Sequence, residues 1–314
     1  MEGLLYILAR TVIGIIQALP LRMVARLGRL GGALVYLLDG RHRRVALRNL
    51  QMCFGQEKTA AEIKALAREN FRRIGENFAC AARTSRMSFD ELKQHVEFVG
   101  GDELVHPPSG SVPQSILGAI GHFGNFELYA RLGQFAPAFK CATTYRGLRQ
   151  QSLNRLLLSL RTQSGCEFFE RRFDAQALRA FMNQPAIMLG LLSDQHAGTH
   201  GLRLPFLGHE CSTSAAPAIF ALRYNCALYI GICYRVALAQ WRIEAGPRIP
   251  THDQNGQARP ITAIMLDVNQ VFEAAVRRDP ANWFWVHNRW KNYQPARSRS
   301  KAQETSGETS AITS

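Results

Sequence analysis

Three short apolar runs, residues 115–120, 186–192 and 227–234, constrain this chain more than anything else in it. Each reads as a strand, and beyond Ser115 the first two lack polar positions on either face, as strands buried on both sides do. Helical patterns separate them: residues 152–161, 178–183 and 215–224, with a late helix at 264–278. Residues 139–145 add a strand, 96–100 an edge strand and 241–245 an outer strand. Such alternation is the signature of an α/β sandwich with a largely parallel central sheet flanked by helices. Two capping boxes, Thr59-Ala60-Ala61-Glu62 and Ser88-Phe89-Asp90-Glu91, open helices upstream of that core.

The organisation expected is an N-terminal membrane-associated segment at 1–38, one catalytic domain at 39–294 and a flexible tail at 295–314. No linker divides the middle, where Pro107-Pro108-Ser109-Gly110 marks only a loop. The tail is rich in Ser, Thr, Arg and Glu and has too few apolar groups to order itself. The apolar stretch 4–19 is broken by Arg10-Thr11 and is slightly short of the roughly 20 residues that span a bilayer. Residues 21–38 repeat an apolar pattern punctuated by Arg22, Arg26 and Arg29, as in an amphipathic helix on an anionic surface. A signal peptide fits less well, lacking a basic start and a cleavage site. Together with Arg41, Arg43, Arg44 and Arg48, the arginines place the catalytic domain on the cytoplasmic side of the membrane.

The net charge of +14 favours anionic partners: lipid headgroups, lipid phosphates or an acidic carrier protein. Nucleic acid is disfavoured, because no zinc-finger spacing, RNA-binding signature or basic run with stacking aromatics occurs. The seven cysteines form no Cys-x-x-Cys pair, and their odd number argues against a complete disulfide framework.

His122 and Glu127, in Gly121-His122-Phe123-Gly124-Asn125-Phe126-Glu127, carry the chemistry. His122 follows the first strand, and Asn125 is the candidate N-cap of a helix beginning at Phe126. Within one helix the pair would stand about 140° apart, so a turn must bring them together. The expected reaction is acyl transfer, with His122 as the general base on an acceptor hydroxyl and Glu127 fixing its tautomer. Spacing alone is weak evidence, since an isolated pair of this kind is ordinarily surface or structure.

Several ordered blocks add to it. Residues 41–50 read Arg-His-Arg-Arg-Val-Ala-Leu-Arg-Asn-Leu, followed by Cys53-Phe54; later come Thr144-Tyr145-Arg146, Ser193-Asp194-Gln195, the run 201–208, and Asp279-Pro280-Ala281-Asn282-Trp283-Phe284-Trp285-Val286-His287-Asn288-Arg289-Trp290-Lys291. With the His-(four residues)-Glu motif they resemble the bacterial lipid A biosynthesis acyltransferases of the lysophospholipid acyltransferase superfamily, over about residues 40–292. The resemblance implies transfer of a fatty acyl chain from acyl carrier protein or coenzyme A to a hydroxyl of a lipid A precursor, with no cofactor beyond the acyl donor. It places His122 and Glu127 at the catalytic positions and singles out Arg161 and Asp194, where Asp194 could hold a structural hydrogen-bond network as easily as touch substrate. Arg146 and Arg161 are candidates for phosphate because a guanidinium fork suits its geometry, and Gln195 is a further candidate for substrate binding. Gly124-Asn125 is also similar to the mycobacterial phosphatidylinositol mannoside acyltransferases, which leaves another glycolipid acceptor open. A non-catalytic membrane-surface protein of the same fold is the other alternative.

A metal hydrolase built on Asp194, His196, His200 and His209 is disfavoured, because Gly198 and Gly201 oppose the helix that would align His196 with His200; a substrate-positioning loop suits this region better. No Gly-x-Ser-x-Gly elbow, Walker loop or dinucleotide fingerprint is present. Trp283, Phe284, Trp285 and Trp290 read as packing ahead of an acyl groove or membrane belt.

Overall fold

The computed structural model describes residues 2–101, 112–161 and 164–291. The loop expected at 107–110 and the tail expected at 295–314 lie outside the described residues. The strands are β1 (Val96–Val99), β2 (Ile116–Ile120), β3 (Lys140–Tyr145), β4 (Glu167–Glu170), β5 (Ile187–Leu192), β6 (Leu202–Phe206), β7 (His209–Thr213), β8 (Ala227–Ala237) and β9 (Gln240–Ile249). Seven of them form one sheet in the order β1-β9-β8-β2-β5-β3-β4. From β8 through β4 all neighbours are parallel; β9 pairs antiparallel with β8, and β1 follows β9 in parallel. The outer strand expected at 241–245 therefore lies one place inside the edge, which β1 occupies.

The two faces of the central strands do different work. Leu117, Ala119, Leu189, Leu191, Leu228 and Ile230 point to one side and join Ile264, Met265, Val268 and Phe272 of helix Ile261–Arg278 in the main core. The alternate positions, Ile116, Gly118, Ile120, Met188, Gly190 and Leu192, face the opposite way and line a cavity. Period-2 alternation thus gives one face to the main core, while the other lines the cavity and packs Ile116, Met188 and Ile120 into two smaller clusters. Trp283 and Trp285 are fully buried and stand edge to face at 4.8 Å within the main core, as expected for packing. All seven cysteines are free and buried or half-buried.

Helices α1 (Glu2–Ala18) and α2 (Leu21–Leu38) lie against the long helix α4 (Ala60–Thr84), and α3 (Gly40–Phe54) connects them. The α2–α4 approach depends on glycine: a Cβ on Gly32 would stand 2.1 Å from the Phe71 carbonyl oxygen, and one on Gly75 would stand 2.2 Å from that of Gly28. Arg29 of α2 reaches Glu69 at 2.9 Å and the fully buried Glu76 at 3.3 Å. Glu76 also accepts from Arg235 of β8 and from the Ala239 amide, so one carboxylate joins α2, α4 and the sheet. Both capping boxes form as expected, at Thr59 and Ser88.

On their outer sides α1 exposes Ile7, Leu8, Val12 and Ile15, and α2 exposes Leu30, Leu34, Leu37 and Leu38. Among the described residues no helix is long and apolar enough to cross a membrane. At 17 residues α1 measures about 26 Å, short of the hydrocarbon core.

Two features were not foreseen. Strand β4, Glu-Phe-Phe-Glu, is too short to show a period. The antiparallel hairpin β6–β7 occupies part of the region read as a substrate-positioning loop.

Candidate active site

Strands β2 and β5 are parallel neighbours in a register that sets Ile120 beside Leu192. Two residues beyond each C-terminal end stand His122 and Asp194, so the sheet brings together residues 72 positions apart. His122 Nδ1 lies 2.8 Å from Asp194 Oδ1, and the His122 backbone amide donates to Asp194 Oδ2 at 2.8 Å. Trp283 Nε1 donates to the same Oδ2 at 2.8 Å. Gly124, with φ +50°, turns the chain after His122; its amide donates to the Asn282 carbonyl, and a Cβ there would stand 2.5 Å from the Cys233 carbonyl oxygen. The imidazole is flanked by Phe126, with ring centroids 4.8 Å apart, and by Phe284 at 5.9 Å.

Asp194 is fully buried. Burial by itself would raise its pKa, but the paired His122 and the hydrogen bonds from His122 and Trp283 outweigh that and hold it down at about 2. It is ionised at any working pH. A carboxylate fixed on Nδ1 leaves the His122 Nε2 lone pair to take a proton, which is the arrangement behind the histidine of serine hydrolases.

The carboxylate on His122 is thus Asp194, not Glu127 as the spacing led one to expect. Glu127 instead takes a bidentate pair from Arg161, at 2.9 Å from Nε and 2.6 Å from Nη2. The segment after Asn125 is a 3-10 helix, Phe126–Arg131, and the Asn125 side chain makes no cap bond. Arg161 also stands over the Phe168 ring at 5.1 Å, so its guanidinium is oriented by both Glu127 and an aromatic face. Asp194, for which substrate contact and a hydrogen-bond network were both open, lies behind the imidazole with both oxygens occupied by protein donors.

His122, Glu127, Arg146, Arg161 and Gln195 all line one cavity of about 600 Å³, within the usual range of about 300–1,000 Å³ for small-ligand sites. Its floor is the open face of the sheet. A Cβ on Gly118 would meet nothing closer than Ile120 Cγ2 at 3.8 Å and Gly190 Cα at 3.9 Å, so the absent side chains of these paired glycines leave space above the strands. Apolar Ile116, Ile120, Met188, Leu192 and Ile243 surround that space, while Arg146, Arg161 and Arg171 add positive charge to its wall.

Behind the site, buried Arg289 donates to the carbonyls of Gln195 and Ser212 and to Thr213 Oγ1, tying the end of β5 to the hairpin. Its place in the 279–291 block is a sequence signal, although nothing local marks it as buried. Three of the four ligands of the metal reading are taken up elsewhere: His209 Nε2 is 3.0 Å from the Met52 carbonyl oxygen, His196 Nδ1 accepts from the Gly198 amide, and Asp194 belongs to His122. Among the described residues no three such side chains are grouped to hold a metal.

Comparison with known proteins identifies the family. The family model described as bacterial lipid A biosynthesis acyltransferase matches residues 3–292. The chain is 22% identical over 280 residues to the lipid A biosynthesis palmitoleoyltransferase of Escherichia coli strain K12, covering 87% of this chain and 86% of that protein. The lipid A biosynthesis acyltransferase of Shigella flexneri matches with the same identity and coverage. With a histidine–carboxylate pair opening on an apolar cavity and a family match over nearly its whole length, the chain belongs to the bacterial lipid A biosynthesis acyltransferases.

Proposed function

We propose that this acyltransferase moves a fatty acyl chain from a thioester, on acyl carrier protein or coenzyme A, to a hydroxyl of a lipid A precursor at the cytoplasmic face of the inner membrane. The observation that carries the mechanism is the His122–Asp194 pair at the end of an apolar cavity. The acyl chain lies over Gly118 and Gly190, which sets the thioester carbonyl beside His122. His122 Nε2 removes the acceptor proton as the hydroxyl oxygen attacks the carbonyl carbon, and Asp194 stabilises the imidazolium. The C–S bond then breaks, and the leaving thiolate takes the proton from His122. No acyl-enzyme is required, because the acceptor supplies the nucleophile.

The guanidinium of Arg161, held flat by Glu127, and that of Arg146 suit the phosphate of the acceptor or of the carrier arm. Membrane attachment is assigned to the outer faces of α1 and α2, whose exposed leucines, isoleucines and valine form an apolar surface beside the arginines of α2. A helix pair lying in the interface requires no span.

Lipid mass spectrometry tests the reading, on cells expressing the wild-type chain or His122→Ala. The wild type gains a lipid A species heavier by one acyl group, and the variant does not, while both fractionate with membranes. A wild-type shift on a different glycolipid would replace the acceptor and keep the chemistry. No shift in any lipid from a folded, membrane-bound wild type supplied with lipid A would overturn the assignment.

A further inference from the structure

Two residues that line the reaction cavity each carry a buried polar atom with no hydrogen-bond partner among the described residues: Ser193, only 3% exposed, at Oγ, and His287 at Nδ1. Buried polar atoms in folded proteins are almost always paired, so two orphans in one cavity call for a ligand. Both belong to segments that converge on Asp194. Ser193 precedes it directly, and its amide donates to the Ile120 carbonyl, closing the seam between β2 and β5. His287 lies four residues after Trp283, whose indole donates to Asp194.

The backbone around His287 is fixed independently of any ligand. Its amide donates to the carbonyl of Phe284, the residue whose ring faces His122, and buried Asn49 donates to the carbonyls of both Trp285 and His287. Burial, aided by His122, Arg289 and His196, outweighs the opposing charge of Asp194 and keeps the His287 pKa down at about 4. The imidazole is therefore neutral at physiological pH, with one N–H to give. A serine hydroxyl likewise gives one hydrogen without carrying charge. Two rigid, uncharged donors beside a general base are what a carbonyl oxygen requires when it gains negative charge during acyl transfer.

We infer that Ser193 Oγ–H and His287 Nδ1–H form the oxyanion site of this enzyme, receiving the thioester carbonyl oxygen. The inference rests on the acyl-transfer reading and supplies its missing element. As the hydroxyl oxygen bonds to the carbonyl carbon, the C=O π pair moves onto oxygen, where the two donors hold it; the pair returns when the C–S bond breaks and the thiolate leaves. The assignment fixes the His287 tautomer with its proton on Nδ1. A neutral imidazole in this role gives up no proton, which leaves proton transfer to His122.

The test uses the full-length protein in vesicles containing lipid A precursor, with radiolabelled long-chain acyl-coenzyme A as donor, and determines kcat and KM separately. Ser193→Ala and His287→Ala each lower kcat about 10²- to 10³-fold with KM nearly unchanged. His287→Asn keeps an amide N–H near the Nδ1 position and recovers at least about tenfold over His287→Ala; Ser193→Thr keeps the hydroxyl and does the same over Ser193→Ala. A purely structural role would not produce this rescue at constant KM. Where an alanine variant melts early, the conservative variant carries the comparison with wild type: kcat within about thirtyfold supports the donor, and a greater loss in a folded protein overturns it. Wild-type kcat in folded Ser193→Ala and His287→Ala, beside an active wild type, would sink the oxyanion site and leave the acyl-transfer reading standing. An inactive wild type with both donor and acceptor supplied removes both.

Discussion

Replacing Asp194 with asparagine separates the two carboxylates most sharply. Asp194 accepts three hydrogen bonds: from His122 Nδ1 on Oδ1, and from the His122 amide and Trp283 Nε1 on Oδ2. Asparagine has one oxygen and one NH2 for those two places. With its oxygen toward Nδ1, the NH2 confronts two N–H donors. With its oxygen toward those two donors, the NH2 meets Nδ1 and forces the imidazole proton onto Nε2. The second arrangement satisfies more donors and should prevail, leaving His122 in the tautomer that has no lone pair facing the acceptor. The equivalent substitution in a serine protease triad lowers kcat by about 10⁴, or about 5.5 kcal/mol of transition-state stabilisation, and a loss of that order is expected here. The fold should survive at a cost of about 1–3 kcal/mol for the altered buried hydrogen bonds. The assay is transfer from labelled acyl thioester to lipid acceptor, with chemical denaturation confirming the fold. Glu127→Gln, which loosens Arg161, should act mainly through KM. A folded Asp194→Asn enzyme within tenfold of wild-type kcat, alongside a Glu127→Gln enzyme that loses 10³-fold or more in kcat, would refute the assignment of Asp194 and restore Glu127 as the partner.

Gly118→Leu projects into the cavity without striking backbone, so it should shift donor preference toward shorter acyl chains while sparing the fold; competition between labelled donors of different length reads this, and an unchanged preference would place the acyl chain elsewhere. Gly32→Val drives a side chain into the Phe71 carbonyl and should separate α2 from α4 at a cost of about 3 kcal/mol, visible as a lower denaturation midpoint. His287, ordinarily near pKa 6.5, is held down at about 4 in the folded protein, so between these values the unfolded chain binds more protons and stability falls as pH drops. His287→Asn should flatten that part of the stability profile, and an unaltered slope would show that His287 does not titrate as described.

The sequence alone set the α/β layering, because strands that pair on both edges and are covered on both faces must be apolar throughout, as 116–120 and 186–192 are. It also determined the capped starts of the helices at Thr59 and Ser88, where the residues that cap lie three positions from those they cap. His122 could be singled out because it sits at a strand end within a recognisable block. Its partner could not. Periodicity shows that a segment is a strand and which residues share a face, but not which strand lies beside it or in what register. Glu127 is near in sequence and is drawn away by Arg161 from the helix Gln151–Arg161. Asp194 is distant and becomes adjacent only because β2 and β5 are parallel neighbours with Ile120 beside Leu192. The unpaired atoms of Ser193 and His287 belong to the same class of fact. An orphaned hydrogen-bonding group is defined by everything packed around it, and that surrounding exists only once the sheet, the hairpin and the tryptophan-rich turn have assembled.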